Sequence, residues 1–286
     1  MRGVYKALTY AALAVVLTGV YFVVNYAGLY LKFHFKGVSP FWPASGMAVA
    51  LLWLFDLRWW PVIVVGELLG AVFGGRDWFV GITDSVAQMS EALLATVLLK
   101  GFDVRAELNR GRDVLGFLGL GVLLPAAVGG GLGAMGLMLN GVLQERLLPA
   151  EWGSWALGDA MGILIVTPFI AQWRRWPFKD SMDLAQWLLG MLVLAAATTG
   201  ISLFPGDLQT RFYFLLLPLV LLVATRSGST GASSASLLLA LLVLGFNLNE
   251  SQSPVLAGVR IAFIGATAFT AYLVSAAFAA RSAADE

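Results

Sequence analysis

The chain contains no cysteine and a single histidine, His34, and only 12% of its 286 residues are charged. Without cysteine there is no disulfide, no thiol nucleophile and no thiolate metal site. One histidine cannot assemble a His-based metal site, so no metal ligand set and no cofactor is expected. A soluble domain carries about 25% charged residues, roughly twice the fraction found here. The net charge is only +1 and no basic run is present, which argues against nucleic acid as a partner. What the chain has in excess is apolar side chains, 59% of the total, with a mean hydropathy of +0.82. This composition implies an all-α, polytopic transmembrane helical bundle in a lipid bilayer.

Ten apolar segments can be drawn, at 6–31, 41–57, 60–75, 78–99, 113–139, 152–173, 184–204, 211–225, 229–247 and 254–280. Several fall short of the roughly 20 residues a full span needs. The second and third, or the eighth and ninth, could be re-entrant hairpins, which leaves eight or ten spans with the same sidedness. Arg2 and Lys6 precede an apolar run that reaches Leu31 without a small-residue cleavage site, so the run is read as an uncleaved first span. Lys and Arg near span ends divide twelve to six between the two faces, with Lys32, Lys36, Arg76, Arg146, Arg211 and Arg260 as the outer six, which places both termini in the cytoplasm. His34, in Lys32-Phe33-His34-Phe35-Lys36, is expected at the membrane interface.

The most informative stretch is residues 78–100. Asp84, Gln88 and Glu91 interrupt an apolar run at offsets of four and three, which sets them on one face of a helix. Nine Leu, Ile, Val and Phe residues there favour insertion by roughly 3–5 kcal/mol, whereas two central carboxylates oppose it by roughly 5–7 kcal/mol. The polar stripe must therefore face other helices or a watery cavity. Glu67 and Asp159 are the other carboxyl groups inside spans. At about 1.5 Å per residue, Asp84 and Asp159 lie about 9 and 10 Å from the outer ends of their segments and Glu91 about 20 Å. Glu67, counted from the inner end, comes out level with Glu91. An outer rim of Phe41, Trp42, Trp78, Trp152 and Trp155 completes an expected cavity between the second, fourth and sixth segments, open outwards. Gly129 and Gly133 form a G-x-x-x-G pair, read as close packing within one bundle, with a homodimer interface as the alternative.

Enzyme readings fail on the residues. Gly228-Ser229-Thr230-Gly231 has the wrong order for an intramembrane serine protease, and Ala156-Leu157-Gly158-Asp159 lacks the first glycine of an aspartyl protease motif. No catalytic residue is assigned.

Trp42-Pro43-Ala44-Ser45-Gly46, Trp60-Pro61, Glu91-Ala92-Leu93-Leu94 and Trp155-Ala156-Leu157-Gly158-Asp159-Ala160-Met161-Gly162 with Thr167-Pro168 resemble, in order and spacing, the first class of bacterial membrane-associated sensor (MASE) domains. The resemblance is strongest over residues 40–173. Ala44 stands where the family usually has a second proline, Gln88 and Ala71 stand where it has asparagines, and Glu67 and Asp84 look peculiar to this chain. The resemblance implies a sensory module in the bacterial inner membrane, residues 1–286 forming one sensor domain, joined to or partnered by a cytoplasmic histidine kinase or diguanylate cyclase. That output domain is absent from the chain, which ends in a polar, helix-compatible tail after residue 280. The expected ligand site comprises Trp42, Ser45, Gly46, Glu67, Asp84, Gln88, Glu91, Trp155 and Asp159, with a cationic or hydroxyl-rich small molecule held by the acids. The alternative is a small proton-coupled transporter that uses the same carboxylates; a structural scaffold for another protein is a third reading.

Overall fold

The computed structural model describes residues 2–34, 41–247 and 254–285. The side chains of Arg2, Lys6, Lys32 and His34, and the whole of Lys36, lie outside the described residues, and with them the expected interfacial place of His34. The described residues form helices and no strands: α1 (Arg2–His34), α2 (Pro43–Ala50), α3 (Trp60–Phe73), α4 (Trp78–Gly101), α5 (Gly111–Gly116), α6 (Leu124–Leu139), α7 (Leu148–Trp173), α8 (Ser181–Ser202), α9 (Gly206–Tyr213), α10 (Leu217–Phe246) and α11 (Pro254–Asp285). A wider π-helical turn, Leu51–Phe55, prolongs α2, and another, Phe117–Leu123, joins α5 to α6. The chain is an all-α, polytopic membrane protein. Proline marks two starts: Pro43 and Pro61 stand in the first turns of α2 and α3, where a missing N–H removes no hydrogen bond, while Pro125 follows the π-helical turn inside the continuous helical stretch Gly111–Leu139. Asp180 caps α8 by accepting from the Met182 and Asp183 amides, and Asp77 accepts from Phe79 N at 2.8 Å at the start of α4.

Seven helical stretches among the described residues are long and apolar enough to cross a membrane. The longest, Leu208–Phe246, would measure about 57 Å if straight, nearly twice a bilayer core of about 30 Å. It is broken at Gly228 (φ 58°, ψ −148°), a conformation open only to glycine. A Cβ on Gly231 would fall 2.5 Å from the Val223 carbonyl oxygen, although eight residues of straight helix separate two atoms by about 12 Å. The chain therefore turns back at Gly228, between the eighth and ninth apolar segments. The second and third segments are the short ones, a Pro43–Phe55 helix and the 14 residues of α3.

The chain divides into two compact units. The first comprises Met1–Lys100 and Leu120–Ile163. Within it α1 packs along α3 through a second small-residue notch, Gly66 and Gly70. The Tyr21 ring fills the place of a Gly66 Cβ, and Asn25 Nδ2 lies 2.5 Å from that of Gly70. α6 does the same with its glycines: Gly129 faces the Glu91 side chain of α4, Gly130 the Ala156 backbone of α7, Gly133 the Trp155 ring and Gly136 Thr83. The expected G-x-x-x-G pair is thus used for close approach inside the bundle.

The second unit comprises Gly101–Gly119 and Leu164–Glu286. α10 packs against α8 and α11. Tyr272 OH donates to Leu164 O at 3.3 Å, and Trp173 Nε1 donates to Ser234 Oγ at 3.0 Å. Arg260, assigned from the sequence to a span end, is instead 2% exposed. It donates to Thr210 Oγ1 at 2.8 Å and Gln209 Oε1 at 2.9 Å, and also to Asn247 Oδ1. Its place within the apolar run 254–280 was the signal that it would need polar company.

Candidate functional site

The site is built where two sequence motifs meet. Trp42 N donates to the Gly158 carbonyl at 2.9 Å, and Gly162, one turn further along α7, lies against the Trp42 carbonyl so closely that a Cβ would overlap it. This contact sets the first turn of α2 against the middle of α7. Ser45, fully buried in that turn, then reaches Asp159 Oδ1 at 2.7 Å and Gln88 Oε1 at 3.2 Å. Gln88 Nε2 continues the chain to Glu91 Oε1 at 3.1 Å. The carboxyl groups of Glu91 and Asp159 are also within reach of one another. The N-terminal end of α2 carries a partial positive charge, which favours acids beside its first turn.

A second polar group is centred on Glu67. Tyr21 OH donates to Glu67 Oε1 at 2.9 Å and Asn25 Nδ2 to Glu67 Oε2 at 3.0 Å. Both donors sit over the glycine notch of α3, so the close approach of α1 is what brings them to the acid. Asp84 pairs with Arg76, whose Nη1 lies 2.5 Å from Asp84 Oδ2.

These groups converge on one cavity lined by Trp42, Glu67, Arg76, Asp84, Ala87, Gln88, Glu91, Gly129, Trp155 and Asp159. The space open to a water-sized sphere is about 40 Å³, and one water needs about 10–15 Å³ on that measure, so about three would fit. Seven of the nine residues singled out from the sequence line it. Ser45 stands behind the wall as the hydrogen-bond hub, and Gly46 is buried in α2 without lining the cavity. The cavity draws on α3 and α6 as well as the three segments expected. Of the aromatic rim, Trp42 and Trp155 form walls. Phe41 is buried, while Trp78 and Trp152 are largely exposed on the outside of the helices.

The layering differs from the sequence estimate for two physical reasons. α7 begins at Leu148 rather than Trp152, so Asp159 lies one turn deeper, about 16 Å in, level with Gln88 at about 15 Å. α3 has only 14 residues, about 21 Å, so counting Glu67 inwards from a full-length span misplaces it. Glu67 precedes the end of α3 by six residues and Asp84 follows the start of α4 by six; in a helical hairpin such positions are level. The electrostatic neighbours of Glu67 are accordingly Asp84 and Arg76. Three lining residues escaped the sequence reading: Arg76, Ala87 and Gly129. Arg76 was assigned to the outer surface, and its signal was a cation in a short turn eight residues from an intramembrane acid. Gly129 was read for packing alone, yet its missing side chain is what admits Glu91. Among the described residues no group of three or more His, Cys, Asp or Glu side chains is arranged to hold a metal ion.

The MASE1 family model matches residues 13–282, nearly the whole length and well beyond the stretch in which the motifs were recognised. The chain belongs to the MASE1 family and is a membrane-associated sensory domain, a multi-pass bacterial membrane protein. No curated protein and no solved structure matches it.

Proposed function

We propose that this chain is a sensory input module whose acidic cavity binds a small cationic or hydroxyl-rich ligand from outside the cell. Binding would be reported through the C-terminal helix to a cytoplasmic histidine kinase or diguanylate cyclase. One observation carries the reading: four carboxyl groups from three helices share a single small cavity with two tryptophan walls. Acids within spans oppose membrane insertion, and burying so many together is hard to explain as packing alone. The first-turn geometry of α2 also ties two family motifs to the same point. Asp84, Glu91 and Asp159 would take the charged or hydroxyl groups, Gln88 and Ser45 would orient them, and the Trp42 and Trp155 faces would cover a cation. To signal, the ligand must bind two packings of the bundle with different affinity.

The test is a melting-temperature survey of the purified chain against small amines, guanidines and polyols. A saturable rise with one chemical class is expected, and proteoliposomes should show no pH-gradient-driven uptake of that compound. Uptake would move the chain to the transporter class, and silence across the whole panel would remove the ligand reading.

A further inference from the structure

Arg76 lies in the four-residue turn between α3 and α4. Its amide donates to Ala71 O at 2.9 Å, and Gly75 before it adopts φ +68°, the left-handed conformation that glycine takes without strain. The turn thereby folds back over the end of α3 and sends the Arg76 side chain into the cavity. There Arg76 is the one guanidinium among the lining residues, beside four carboxyl groups. Its side chain is 23% exposed while that of Asp84 is 5%, so the pair stands where the cavity meets the surface. The guanidinium is incompletely used: Nε is buried and has no hydrogen-bond partner. A fork–fork pairing would engage two donors and hold far more firmly. A cation held by part of its fork, on a turn with two glycines, is replaceable.

We propose that Arg76 is a tethered occupant of this cavity: its guanidinium holds the place that a cationic group of the ligand takes, and the ligand enters by displacing Arg76 from Asp84. This rests on reading the cavity as the ligand site, and it narrows the ligand to a compact cation bearing an ammonium or guanidinium group. A neutral polyol offers Asp84 no charge to exchange for that of Arg76. Entry of the cation frees the α3–α4 turn, so binding carries a movement with it. The cavity is small with Arg76 in place because Arg76 already fills part of it.

Methylguanidinium is the probe, with urea as its neutral counterpart, titrated against the purified full chain and followed by tryptophan fluorescence. Arg76→Gln is expected to bind methylguanidinium at least tenfold more tightly than the parent, urea is expected to be silent in both, and adding Asp84→Asn to Arg76→Gln is expected to abolish the gain. Should Arg76→Gln not purify as a monodisperse species, Arg76→Lys, which keeps the charge but loses the fork, is expected to bind at least threefold more tightly than the parent. Equal affinity in parent and variant overturns the proposal. If that equality is found while binding to the parent still falls on Glu91→Gln and Asp159→Asn, the cavity reading survives alone. No binding of the cation by either protein also overturns the proposal, and the cavity reading is then decided by the wider panel of amines, guanidines and polyols.

Discussion

Gly162→Ala is expected to destabilise the protein by on the order of 3 kcal/mol or more, enough to leave little monodisperse protein after purification. The new methyl group would overlap the carbonyl oxygen of Trp42, a backbone atom with nowhere to go. That backbone is held on its other side by the Trp42 amide bond to Gly158. Relief by shifting α2 would draw Trp42 and Ser45 away from Asp159 and Gln88, so the damage would reach the cavity. Gly153→Ala is the matched control: it lies on the same helix with nothing within 4 Å of a Cβ, and should be neutral or slightly stabilising. Size-exclusion profiles after a heating series measure both. Equal melting of the two variants would refute the packing described for Gly162.

The second large effect concerns Glu67. Glu67→Leu leaves Tyr21 OH and Asn25 Nδ2 without their acceptor in a buried site. Each orphaned donor costs about 1–3 kcal/mol, so a loss of about 2–6 kcal/mol is expected. Replacing all three residues by apolar ones (Tyr21→Phe, Asn25→Leu and Glu67→Leu together) should recover much of that loss, because a polar group with no partner is worse than no polar group. Glu67→Gln, which keeps an acceptor for one donor, should fall between. Apparent melting temperatures of the parent and these variants decide the matter. Additive losses across the set would show that the three residues do not act as one network.

Helical class and the breaks between segments were legible because they follow from composition and from proline and glycine placement. Pro43 and Pro61 stand where helices start, and Gly228 stands where the chain turns back. The polar stripe of α4 was legible because a carboxylate in an apolar run has few places to go. Levels between helices were not, since depth depends on where each helix begins, and Leu148 starts α7 one turn before the tryptophan taken as its end. The pairing of Glu67 with Asp84 could have been found by counting outwards from the short turn instead of inwards from an assumed span. The Gly66 and Gly70 notch was also present in the sequence, four residues apart on either side of Glu67. It gained meaning only once Tyr21 and Asn25 of α1, likewise four apart, were seen to fill it. Arg76 was hidden by a general rule, that cations near span ends face the surface.

The most direct measurement is the affinity of the purified chain, carrying Glu91→Gln or Asp159→Asn, for the compound that raises the parent's melting temperature most. Both substitutions keep shape and one acceptor oxygen, enough for the Gln88–Glu91 and Ser45–Asp159 hydrogen bonds, while removing an acid from the cavity. Each is expected to weaken binding by about tenfold or more, which is about 1.4 kcal/mol for one lost charge-assisted contact, with the unliganded melting temperature little changed. Unchanged affinity in both variants would contradict the assignment of this cavity as the place where the signal is received.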